Sequence, residues 1–130
     1  MPDKHIFEYA VIRYVPRVER QEFINLGVIL FCKRKKFVGM RLHIDEARIR
    51  AFAPETDMDL LRSYLGGWEK ICEGGTMGGK IGALDPPGRF RWLTAVRSSI
   101  IQSSQVHPGL CIDPAARLDR LFVQYFGEKS

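Results

Sequence analysis

Apolar residues occupy both alternating faces of Ile6 to Val15, with Phe7, Tyr9, Val11 and Val15 on one and Ile6, Ala10, Ile12 and Tyr14 on the other. A strand that is apolar on both faces is covered on both faces. Ile24 to Cys32 repeats the pattern. Phe37 to Ile44 alternates instead: Val38, Met40, Leu42 and Ile44 point one way, and Phe37, Gly39, Arg41 and His43 the other. Lys33-Arg34-Lys35-Lys36 falls between the second and third runs and predicts a solvated hairpin turn. The three runs therefore read as an antiparallel meander. Pro16 has no N–H for a ladder, so the first strand stops there, and the charged stretch to Phe23 is an irregular loop or widened hairpin.

The period then changes. Asp45 predicts the cap of a short helix through Phe52. Thr56-Asp57-Met58-Asp59 has capping-box spacing, and Leu61, Leu65, Trp68 and Cys72, joined by Tyr64 and Ile71, keep a helical period to Glu73. Gly66-Gly67 weakens that helix, which close packing of another element or a kink would explain. Asp113-Pro114 opens a last helix, striped by Leu118, Leu121, Phe122, Tyr125 and Phe126 and closed by Gly127. Residues 74–90, dense in Gly and Pro, read as a mobile loop. Ser98 to Val106 reads as a fourth strand at an edge or along a groove, and Pro108-Gly109 as a turn. The fold class is α+β: three to four antiparallel strands against two to three helices.

At 130 residues the chain has room for one domain. Within 1–130 it divides into a strand-rich part (1–44), a helical part (45–73), the Gly/Pro loop (74–90), and a strand plus C-terminal helix (91–130). A hydrophobic share of 45% against 27% charged excludes disordered, collagenous and coiled-coil chains. Three widely spaced cysteines without a CxxC pair fit a reducing cytoplasm. The start, Met1-Pro2-Asp3-Lys4-His5, lacks signal-peptide character, and no apolar run is long enough to span a membrane.

Charge sharpens the picture. The formal net charge is +5, and residues 1–50 hold 11 Lys/Arg against 6 Asp/Glu while the rest of the chain balances. This local excess suggests an anionic partner. Lys33, Arg34, Lys35 and Lys36 form one basic patch, a hairpin tip or a contact for a nucleic-acid backbone. Arg13, Arg17, Arg20, Glu22 and Asn25 form the second and stronger constellation. Arg13 interrupts an apolar strand, so it requires a carboxylate, with Glu19 and Glu22 as candidates, or a route to solvent or ligand. Guanidinium forks match carboxylates and phosphates. Three readings stay open: a structural salt-bridge network, an anion or partner site, and a catalytic site with Glu22 as base. Arg97-Ser98-Ser99 and Gln102-Ser103-Ser104, near Arg89-Phe90-Arg91-Trp92, make a further polar cluster, either an edge strand or a surface for phosphate contact and base stacking.

Other motifs are weaker. Gly74 to Lys80 matches G-x-x-x-x-G-K, but Ile81 stands where a phosphate loop needs Ser or Thr, and the expected strand and helix do not flank it. Cys111 with His107 lacks an orienting acid, and His43 with Asp45 lacks a third metal ligand. No cofactor or metal is expected.

Tyr9-x3-Arg13-Tyr14-x-Pro16, then Arg20-x-Glu22-x2-Asn25-x-Gly27-Val28-x2-Phe31, resembles the opening signature of the bacterial domain-of-unknown-function family 3037. Arg91-Trp92-Leu93, Arg97-Ser98-Ser99-x2-Gln102 and His107-Pro108-Gly109 resemble its second block. The resemblance carries no established reaction. It implies a companion role beside a HipA-like kinase encoded nearby, and it marks Arg13, Arg20, Glu22, Asn25, Arg97 and Gln102. Combined with the residue reading, the expectation is a non-enzymatic binding or companion domain for an anionic ligand or protein partner. Nucleic-acid binding, and a small hydrolase or transferase, are the alternatives.

Overall fold

The computed structural model describes residues 3–127; Met1 and Pro2, part of the start read for targeting, and residues 128–130 lie outside them. Strands β1 (His5–Tyr14), β2 (Ile24–Cys32) and β3 (Phe37–Leu42) form the expected meander. Lys33–Lys36 is its solvated turn, closed by Lys36 N–H donating to the Lys33 carbonyl at 3.1 Å. Two further strands, β4 (Ile101–Ser103) and β5 (His107–Cys111), both pair antiparallel with β1, one at each end. Between them Ser104 bridges the gap. Its N–H donates to the Val11 carbonyl at 2.8 Å, and its Oγ accepts from Val11 N–H at 2.9 Å. Among the described residues the sheet thus has five strands and is joined by five α-helices, more than the three to four strands and two to three helices expected. The fold is α+β in class, as expected.

Helices cover both faces, which is why β1 and β2 are apolar on both. On one face Ala10, Ile12, Leu26, Ile29 and Phe31 pack against helices α1 (Glu46–Phe52), α2 (Met58–Glu73) and α4 (Pro86–Thr94). On the other, Phe7, Val11, Val28, Leu30 and Cys32 pack against α5 (Pro114–Phe126). Asp45 and Asp113 cap α1 and α5 as expected. For α2 the cap is Asp57, which accepts from Leu60 N–H at 3.1 Å. The Thr56–Asp59 box does not form, because the Thr56 hydroxyl is buried, donating to the Ala53 carbonyl and bonded to Tyr14 Oη at 2.9 Å.

Two segments correct the expectation. Residues 74–90, read as loop, carry the short helix α3 (Gly79–Gly82) and the start of α4, capped by Asp85. The glycines here serve close approach. A Cβ on Gly78 would lie 2.9 Å from the Lys70 carbonyl oxygen, and one on Gly82 2.8 Å from that of Gly75. Arg89 fastens the segment, donating to the carbonyls of Leu84 at 2.7 Å and Cys72 at 3.4 Å. Residues 107–111, read as a turn, are β5. Among the described residues β5 pairs with no strand but β1, so Pro108 sits on an edge strand, where a missing N–H is tolerated. Gly109 leaves room for the Phe7 ring, 2.5 Å from where its Cβ would stand.

Gly66 and Gly67 meet nothing within 4 Å, so close packing does not explain them, and α2 runs unbroken through both. Alanine at each position is expected to stabilise the domain by about 0.5–1 kcal/mol. Urea denaturation of the double variant checks this through a higher midpoint at unchanged slope.

Candidate functional site

The arginine constellation divides in two. A bulge between Ile12/Gly27 and Arg13/Asn25 leaves Leu26 as an extra residue on β2. Past it, Arg13 pairs with Asn25 on one side and with Gln102 of β4 on the other. Lateral neighbours share a sheet face, so the three side chains stand on the α5 face, beyond its apolar patch. Arg13, Arg97, Ser98, Gln102 and Phe23 line a cleft of about 270 Å³.

Arg13 finds no carboxylate among the described residues. Among the described residues it has no ion pair, and its Nε is buried without a hydrogen-bond partner, as is Asn25 Oδ1. Its Cζ lies 4.0 Å from the centre of the Phe23 ring, a cation–π contact that partly compensates the charge. Tyr125, whose phenol feels the Arg13 charge, is no counter-ion. A hydrogen bond shared with Tyr9 (3.2 Å) and burial push its pKa up to about 12, and it stays neutral. Arg97 is held against Trp92 and Trp68, with Cζ 4.3 and 5.3 Å from the ring centres, and donates to the Trp92 carbonyl. Burial holds its pKa below the ordinary guanidinium value. Gln102 donates to the Ser99 carbonyl at 2.8 Å, which fixes its amide. Among the described residues no carboxylate lines this cleft. It presents two partly desolvated guanidinium groups, whose donors match a carboxylate or phosphate.

Arg17, Arg20 and Glu22 lie elsewhere, in a second depression of about 280 Å³ with Phe52, Pro54 and Glu55. Arg17 faces Glu55 at 3.7 Å and Arg20 faces Glu22 at 3.5 Å, all four more than half exposed. Such solvated pairs contribute little to stability. Two cations here meet two carboxylates, and Glu22 does not reach Arg13 or Arg97 through either depression.

The basic tip is also separate. Lys33 and Arg34 edge a groove of about 520 Å³ floored by Ile6, Phe31 and Pro87, while Lys35 and Lys36 project into solvent. Arg91 on its wall is bound by Glu8 at 2.7 and 3.0 Å, and Arg89 is engaged with backbone carbonyls. The Arg89–Trp92 segment therefore does not join the tip as a row of free cations.

Burial raises the pKa of Cys72 to about 12 and also raises that of Cys111, so both thiols stay protonated at neutral pH. His107 packs on Tyr9, with ring centres 5.4 Å apart, and His43 on Phe126 at 5.2 Å. Among the described residues no three His, Cys, Asp or Glu side chains are grouped to hold a metal ion, and no helix is long and apolar enough to cross a membrane.

The sequence reading missed Phe23 as the platform for Arg13, and Trp68 as a partner of Arg97. An aromatic residue at the end of a charged loop, two residues before the polar strand position Asn25, was the available signal for the first. For the second there was none, since 29 positions (68 to 97) separate the two residues.

No curated protein and no solved structure matches the chain. A family model does, and its span takes in the bulge, the cleft and both sheet faces from Tyr9 to Phe126. The chain belongs to the family described as "Protein of unknown function (DUF3037)", whose model matches residues 9–126.

Proposed function

We propose that this is a binding domain whose cleft around Arg13 and Arg97 takes an anionic group, a carboxylate or phosphate, borne by a ligand or a partner protein. The observation that carries the reading is Arg13, a strand guanidinium with a buried Nε that, among the described residues, has neither a hydrogen-bond partner nor a carboxylate. Removing a cation from water is costly, and a cleft that keeps two of them unpaired binds an anion with much of that cost already met in folding. The cations at Lys33–Lys36 keep their hydration and offer no such advantage, which favours this reading over nucleic acid. The paired charges around Glu22 likewise give a catalytic reading little support. In the companion-domain form, the anion belongs to a protein such as the HipA-like kinase that the family resemblance suggests.

Titrating isotope-labelled protein with inorganic phosphate and with acetate, at low salt, tests the reading. Amide and guanidinium resonances of Arg13, Arg97, Ser98 and Gln102 are expected to shift together. Arg97→Met is expected to weaken binding about tenfold or more, the loss of one charged hydrogen-bonding partner. Shifts confined to residues 33–36, or none at Arg13 and Arg97, would overturn it.

A further inference from the structure

The Arg13 cleft and a second, apolar trough lie on either side of the segment 97–102. Leu60, Tyr64 and Trp68 recur every fourth residue on α2 and so share a face. Ser99, Ile100 and Ile101 run opposite them, and the trough between holds about 480 Å³. Arg97 joins the two spaces: it lines the Arg13 cleft and lies against the ring of Trp68, which lines the trough. The segment 97–102 separates them, giving Arg97, Ser98 and Gln102 to the polar side and Ser99, Ile100 and Ile101 to the apolar one.

We infer that trough and cleft form one docking surface for an extended segment of a partner protein, in which a large apolar side chain lies next to a carboxylate. The inference rests on the anion reading above and names its occupant. Charge selects an anionic group, which in an unmodified chain segment is a carboxylate: among the described residues no Asp or Glu lines either space, and neither Arg13 nor Arg97 has an ion pair. Depth selects a chain segment. Leu60 and Tyr64 remain 44% and 47% exposed, so the trough is shallow, whereas a small-molecule pocket encloses most of its ligand. Trp, Tyr and Arg together are also the residue types that carry most binding energy at protein interfaces.

A random dodecapeptide library displayed on phage, panned against the full chain, provides the probe. Enriched sequences are expected to place Trp, Phe, Tyr or Leu within two residues of Asp or Glu. A labelled copy of the most enriched peptide, followed by fluorescence anisotropy, should bind at least tenfold more weakly to Tyr64→Ser and to Arg97→Gln. Lys35→Gln should leave binding within twofold. Tyr64 is half exposed, so its variant keeps the fold, which circular dichroism verifies. Failure to enrich any peptide over a Leu60→Ser/Tyr64→Ser control overturns the inference. If phosphate still shifts Arg13 and Arg97 in that case, the anion cleft stands alone. Peptides that bind Arg97→Gln as tightly as the unmodified chain overturn the inference, while the phosphate titration decides the anion reading separately.

Discussion

Replacing Phe90 by alanine is expected to cost about 3–5 kcal/mol of folding stability, the range for truncating a fully buried aromatic side chain. Phe90 is 0% exposed and stacks on Phe31 of β2, with ring centres 5.2 Å apart and planes 25° from parallel. It is the main anchor by which α4 joins the core on the α2 face of the sheet. A domain of this size has a total stability of about 5–15 kcal/mol, so the variant would be marginal. Urea denaturation measures the effect directly, and Phe90→Leu, which keeps most of the volume, should cost roughly 1–2 kcal/mol. A loss below about 1 kcal/mol for the alanine variant would mean that residues 86–94 are not packed as described, and would restore the mobile-loop reading of this stretch.

Gly27→Ala is expected to destabilise by about 3 kcal/mol, at the upper end of what overpacking costs. Its Cβ would stand 2.4 Å from the Arg41 carbonyl oxygen and 2.8 Å from Leu42 Cδ2. The first neighbour is backbone of the paired strand, so β3 must move as a unit or separate from β2 locally. Gly27 also flanks the bulge that brings Asn25, rather than Leu26, opposite Arg13. Two readouts follow. The denaturation midpoint falls, and in the remaining folded protein the resonances of Arg13, Asn25 and Gln102 shift more than those of α5. Gly67→Ala is the matched control, because it adds the same methyl where nothing lies within 4 Å and should move the midpoint the other way.

Much of the fold was legible because its signals are local. The caps at Asp45 and Asp113 each act within three residues, and the apolar stripe of α5 repeats within one helical turn. The start of α4 was legible too and was masked. Asp85-Pro86 is the same cap-and-first-residue pair as Asp113-Pro114, but six glycines from Gly74 to Gly88 pointed to a loop. Glycine admits both mobility and close backbone contact, and only the neighbours of Gly78 and Gly82 tell which. Of the candidate site, Arg13, Arg97 and Gln102 meet at one cleft. Arg17, Arg20 and Glu22 turn to another, where Glu55, more than thirty positions away, completes the pairing.

The sequence by itself determined the class of fold, the meander, the solvated basic tip and the two-sided burial of β1 and β2. Each follows from periodicity or from residues within a few positions of one another. Only the tertiary structure decided which face Asn25 takes. Simple alternation along β2 would set it beside Ile29 and Phe31 in the core, and the single extra residue at Leu26 reverses that parity. It also decided that Arg13 has no carboxylate among the described residues and that Arg97 lines one cleft while lying against Trp68 of the trough. Those outcomes depend on strand register and on contacts across the chain, where a one-residue slip moves every side chain to the opposite face.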